Sequence, residues 1–98
     1  MPEQYWLKTT NIKKSNLASI YEYGFRQWGE WQADQYYDAL ISHLDQLCAN
    51  PFLYAAVDHI RPGYRRSVCG SHSIYYRLNE RTVEVMAVIG RQDIADRL

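Results

Sequence analysis

The spacing of apolar residues changes at Pro62-Gly63, and that change constrains the fold more than any other feature of the chain. Before it, apolar side chains recur every three or four residues, as on one face of a helix. After it they alternate, as in strands with one buried face. Leu17, Ile20, Tyr21, Gly24 and Trp28 share a face of a helix predicted over 12–28. Thr10 or Asn11 offers a side-chain oxygen to its first turn, and Gly29 stops it. Ala33, Tyr37, Leu40, Ile41, Leu44, Leu47 and Cys48 stripe a second helix over 30–49. Asn50-Pro51 ends that helix, because the residue before a proline avoids helical geometry. So short a link folds the two helices back as an αα-hairpin.

Beyond the turn, strands are predicted at 64–68, 72–78 and 82–89, joined by turns at Cys69-Gly70-Ser71 and Asn79-Glu80-Arg81. His72, Ile74, Tyr76 and Leu78 share one face of the middle strand, and Ser73, Tyr75 and Arg77 the other. In the last strand, strict alternation puts Val83, Val85, Ala87 and Ile89 inward, and Thr82, Glu84, Met86 and Val88 outward. Residues 5–9 read as a first strand at a sheet edge, 52–62 as a loop and 91–98 as a short helical turn. The order β-α-α-β-β-β predicts an α+β fold. An N-terminal strand joins a mainly antiparallel β-sheet, and the αα-hairpin packs on that sheet. Leu17, Ile20, Trp28, Leu40, Leu44, Ile74, Tyr76, Val83 and Val85 are the expected core. The opposite sheet face, with Tyr75, Arg77, Glu84 and Met86, is expected to be open. At 98 residues the expectation is one domain spanning 1–98.

Charge is neutral in sum and uneven in placement. Up to Asp58 there are four basic and seven acidic residues; beyond it, seven arginines and four acids. Between His59 and Asn79 there is no acid, yet Arg61, Arg65, Arg66 and Arg77 fall there. A guanidinium fork engages carboxylate or phosphate through two parallel hydrogen bonds, which lysine cannot do. The stretch is either a surface for an anionic partner or a solvated sheet edge whose charges discourage strand pairing.

Several classes are excluded. With 47% apolar residues and no net charge, the chain lacks the signature of disorder. No apolar run is long enough for a membrane span, and no secretory signal opens the sequence, so a cytoplasmic protein is expected. Cys48 and Cys69 are then expected to be reduced, partly buried thiols. The histidines and cysteines are scattered without metal-ligand spacing, and no phosphate-binding glycine loop occurs. Neither a metal nor another cofactor is expected. Cys69 and His72 lie close enough for nucleophilic chemistry, but no third group orients them. Acid–base cleavage of RNA is the more serious enzymatic reading, with His72 or Tyr75 moving protons and arginines holding phosphate. The alternation, however, turns His72 toward the helices.

The segment GYRRSVCGSHSIYYRLNERTVEVMAVIGRQD, residues 63–93, resembles the C-terminal half of ParE-type toxins in the RelE/ParE superfamily. The resemblance rests on Arg65-Arg66, on His72-Ser73-Ile74-Tyr75-Tyr76-Arg77, on the β-branched strand 83–89 and on Arg91-Gln92-Asp93. In the first half, Ile20-Tyr21, Trp28-Gly29, Gln32-Ala33, Leu40, Leu44, Leu47 and Asn50-Pro51 follow the order of the family. It implies the toxin of a type II toxin–antitoxin system. ParE-like members poison DNA gyrase and block replication; RelE-like members cleave mRNA on the ribosome. RelE-like nucleases commonly carry a Tyr or His near the end of the last strand and a lysine-rich site. Here neither Tyr nor His follows Met86, and no lysine follows Lys14. The resemblance therefore implies a binding inhibitor of gyrase with no catalytic residues, and ribosome-dependent mRNA cleavage is the alternative. Arg65, Arg66, Arg77, Arg81 and Arg91 are the candidate target contacts. Leu17, Tyr21, Arg61, Arg65, Tyr75 and Arg77 are the candidate contacts for a ParD-like antitoxin. Direct nucleic-acid binding is not expected.

Overall fold

The structure is a computed structural model, and it describes residues 4–10, 12 and 17–90. Its elements are β1 (Trp6–Lys8), α1 (Leu17–Trp28), α2 (Glu30–Ala49), β2 (Ala55–Ala56), β3 (Tyr64–Cys69), β4 (His72–Asn79) and β5 (Thr82–Gly90). Ile12, the predicted start of the first helix, is not helical; residues 13–16, the possible cap at Asn11, the terminal turn at 91–98 and Arg91 lie outside the described residues.

The strands form one mixed sheet in the order β1-β5-β4-β3-β2. The last three strands make the expected antiparallel meander. β1 is an edge strand and runs parallel to β5. The predicted loop at 52–62 contains one departure from expectation: Ala55 and Ala56 pair with Arg66 and Arg65 as a two-residue strand. A run this short shows no alternation, so periodicity has nothing to detect.

Gly29 alone joins the helices. Its N–H closes α1 on the Phe25 carbonyl, and its own carbonyl accepts the Ala33 N–H of α2, both at 3.0 Å. It does so at φ +89°, open to glycine and strained for other residues.

Helix α2 carries the core. Leu40, Leu44 and Leu47 are buried against Ile74, Tyr76, Val83, Val85 and Val88, with Ile20 reaching in from α1. Full burial of such side chains is worth about 1.5–3 kcal/mol each before the entropy cost of ordering them. Polar bonds finish the end of α2, where carbonyls have no partner within the helix. Tyr5 donates its N–H to the Cys48 carbonyl at 2.9 Å, which ties the entry to β1 down on α2. The buried Tyr76 hydroxyl donates to the Pro51 carbonyl at 2.6 Å.

Three burial expectations are corrected. Trp28 is 46% exposed. It ends α1 at the helix corner and rests edge-on against Tyr23 and Tyr36. Leu17, at the start of α1, is only half-buried. The third correction concerns the inward face of β5. The pairing shifts between Tyr75 and Tyr76: Tyr76 lies opposite Val85 and Tyr75 opposite Ala87, so Met86 is an extra residue. This β-bulge inverts the alternation beyond it. Val88, opposite Ile74, is fully buried on the helix side, while Ala87 and Ile89 fall on the other face. Strict alternation had assigned all three to the wrong side.

Cys48 is buried, Cys69 is half-buried, and both are free thiols. Burial pushes both thiols up, aided at Cys48 by the charge of Asp45.

The β3–β4 turn is built against α2. Gly70 has φ +59°, and a Cβ there would fall 2.7 Å from Tyr36 Cε1 and 2.9 Å from its hydroxyl. Gly70→Ala is therefore expected to lower stability by about 1–3 kcal/mol through strain and displacement of Tyr36. Urea denaturation measures this; a midpoint equal to wild type would show that the turn accommodates the methyl group.

Candidate functional site

The register of the sheet sorts the candidate residues by face. Arg65 pairs with Tyr76 and Ser67 with Ile74, which places both on the helix side. Arg66 pairs with Tyr75 and Tyr64 with Arg77, which places these four on the outer face. Two cross-strand rows cross that face. One reads Ala55, Arg66, Tyr75, Ala87; the other reads Tyr64, Arg77, Glu84, Lys8.

The five arginines nominated as target contacts do not form one cluster. Arg65 is half-buried on the helix side, donates to the Tyr54 carbonyl at 2.6 Å and lies over the Phe52 ring at 5.2 Å. Arg77 is on the outer face, its Nε 3.3 Å from Glu84 Oε1. Arg81, in the β4–β5 turn, lies over the Tyr5 ring. Arg66 is exposed and, among the described residues, makes no ion pair. Arg91 lies outside the described residues. Of the antitoxin candidates, Leu17 and Tyr21 are on α1, Arg61 is exposed between β2 and β3, Arg65 is beneath the sheet, and Tyr75 and Arg77 are on the outer face. Tyr21 donates to Asp34 of α2. That bond, then burial and the nearby acids, pushes its pKa up to about 12.

The outer face is less open than expected. Glu84 is 3% exposed and Met86 7%. Burial alone would raise the Glu84 pKa. The hydrogen bond and charge of Arg77, a hydrogen bond from Asn79 and the charge of Lys8, 4.0 Å away, outweigh it and hold the carboxyl below its usual range. The face thus carries Lys8, Arg66 and Arg77 around one buried acid. The helical layer is opposite in character: between Leu17 and Ala49 lie five acids and one arginine.

Of the groups suited to proton transfer, His43 and His72 face inward, Tyr75 is on the outer face and His59 is exposed between β2 and β3. His43 of α2 shares a hydrogen bond between its Nε2 and the buried Ser67 hydroxyl, beside Tyr54. Burial lowers the His43 pKa. His72 Nδ1 bonds the Tyr36 hydroxyl, which also accepts the Ser71 N–H at 3.2 Å and sits 3.1 Å from the Cys69 carbonyl. Tyr36 also lines a shallow groove of about 450 Å³ with Trp28, Trp31, Gln32, Gln35 and Ala39. No cluster of three or more potential metal ligands occurs among the described residues. The roles of Glu84, Tyr36 and the His43–Ser67 pair were not read from sequence. A carboxylate between Lys8 and Arg77 is visible only once the register is known.

The architecture is shared with a solved structure. The chain superposes on a protein of the "Chromosomal ParDE TA system from P. aeruginosa" with a TM-score of 0.74 over 89% of this chain and 96% of that one, at 17% identity. The likeness defines the structural class, a helical hairpin packed on a mixed sheet. Sequence comparison then narrows the class. "ParE toxin of type II toxin-antitoxin system, parDE" describes the family that matches residues 8–95. "Toxin ParE1" of Mycobacterium tuberculosis, in strains CDC 1551 / Oshkosh and H37Rv, is 38% identical over 85 residues, 86% of this chain and 87% of its own. "Toxin ParE1" of Caulobacter vibrioides is 33% identical over 76 residues, 78% of each chain. The chain belongs to the ParE family of type II toxins.

The His43 environment generates a pH dependence. Its folded pKa lies below the unfolded value of about 6.5. The unfolded state therefore binds more protons between the two values, and stability falls as pH drops below about 6.5 until the folded pKa is passed. The urea midpoint of wild type should fall from pH 7 to pH 5 more steeply than that of His43→Gln. Parallel curves would remove His43 as the cause.

Proposed function

We propose that this toxin acts in the cytoplasm by binding DNA gyrase and so blocking replication, with no chemistry of its own, and that a ParD-like antitoxin neutralises it. The observation that carries the reading is the division of chemistry between the two sides of the sheet. His43 and His72 hydrogen-bond to groups between the helices and the sheet, on the side away from Arg66 and Arg77. The outer face holds guanidinium groups suited to gripping an anionic surface. Family membership supports the same reading, and the relative from P. aeruginosa comes from a ParDE system.

The candidate antitoxin contacts lie on three sides of the molecule, so a segment reaching all of them has to wrap. A disordered chain that folds on binding uses several kcal/mol in ordering and compensates with buried area. We expect an interface above about 1,500 Å² in total. It should touch both α1 and the Arg61–Arg77 region; a complex avoiding both would refute this placement.

The deciding experiment sets gyrase supercoiling with purified toxin beside translation-coupled mRNA cleavage. Inhibited supercoiling with intact mRNA is the expected result. Cleavage at codons in the ribosomal A site, with supercoiling unaffected, would establish the RelE-type endonuclease instead.

A further inference from the structure

Resting on the reading of the chain as a toxin that works by binding a target, we propose that Arg66 and Tyr75, on the outer sheet face, form the target-contact site, and that Arg66 engages a carboxylate on a protein surface. The assignment follows from what occupies each arginine. Arg65 is committed to the Tyr54 carbonyl and the Phe52 ring. Arg77 neutralises Glu84, a buried carboxylate whose charge needs a partner. Arg81 lies over Tyr5 at a hairpin tip. Arg66 is exposed, without an ion pair among the described residues, so its five N–H donors are available to a ligand.

The surroundings of Arg66 suit a protein partner. Its row runs Ala55, Arg66, Tyr75, Ala87. The alanines at either end of the row raise only methyl groups above the sheet, so the guanidinium and the half-buried Tyr75 ring stand clear of neighbours in the row. Val68, on the same face one row along, is 51% exposed and adds an apolar contact. An arginine beside a tyrosine has the composition of a protein-interface hot spot. The charge of the face selects the partner: Lys8, Arg66 and Arg77 against Glu84 leave a positive surface that complements carboxylates. A nucleic-acid backbone is the poorer match, because Arg66 is the single cation of its row, whereas a continuous line of phosphates is gripped by several.

The test uses the full chain with Arg66→Ala, Arg66→Glu and, for comparison, Arg65→Ala. Growth after induction, the melting temperature of purified protein and supercoiling by gyrase are measured for each. Removing a hot-spot arginine is expected to weaken target binding about tenfold or more. Arg66→Ala should therefore relieve growth arrest, and Arg66→Glu abolish it, with both melting like wild type, whereas Arg65→Ala should melt lower. Growth arrest undiminished in both Arg66 variants would overturn the assignment, as would a fall in their melting temperature matching that of Arg65→Ala. Arg66-dependent retention of duplex DNA or single-stranded RNA in a mobility-shift assay would overturn the carboxylate partner. The gyrase reading fails separately: growth arrest that requires Arg66 while supercoiling is intact keeps this site and removes gyrase as the target.

Discussion

The contact of one stripe of α2 with the meander is the interaction on which the remaining structure depends. Leu40, Leu44 and Leu47 meet Ile74, Tyr76, Val83, Val85 and Val88, and all eight are essentially without solvent contact. A chain of this size has room for only one such core. What surrounds α2 is positioned by it. α1 folds back through Gly29, β1 is anchored by the Cys48 carbonyl, and the β3–β4 turn rests on Tyr36. The terminal carbonyls of the helix thus serve two ends at once: they gain partners they would otherwise lack, and they fix the parallel edge strand beside β5.

Most of this architecture was legible in the sequence, because long amphipathic patterns report directly on which face is buried. The second helix was read to its observed ends, Glu30 and Ala49. The meander was read to within one residue at each end. The pattern failed where a local event breaks the assumed period. The extra residue at Met86 inverts the face of Ala87, Val88 and Ile89, and no spacing rule announces a bulge inside a run of six apolar and small residues. Trp28 matched the helical period and yet is half exposed, against Tyr23 and Tyr36, since periodicity gives a direction around a helix and says nothing about what lies opposite.

The site was less legible, for a related reason. A run of arginines without acids is visible in sequence, but the commitments of each arginine are made by residues far along the chain. Glu84 occupies Arg77 across a strand pair, and the Tyr54 carbonyl occupies Arg65 across a loop. The adjacent pair Arg65-Arg66 reads as one basic motif, whereas the pleat sends the two to opposite faces of the sheet. One becomes part of the packing and the other part of the surface.

The separation of acids in the helical layer from cations on the outer sheet face has a consequence at long range. In a chain of zero formal net charge, the described acids of the hairpin and cations of the outer sheet face contribute an electric dipole along the line between them. In the field of a charged partner it experiences torque rather than net pull. Encounters are thereby oriented before contact, with the sheet turned toward negative surfaces and the hairpin toward positive ones, and this orientation weakens as ionic strength rises.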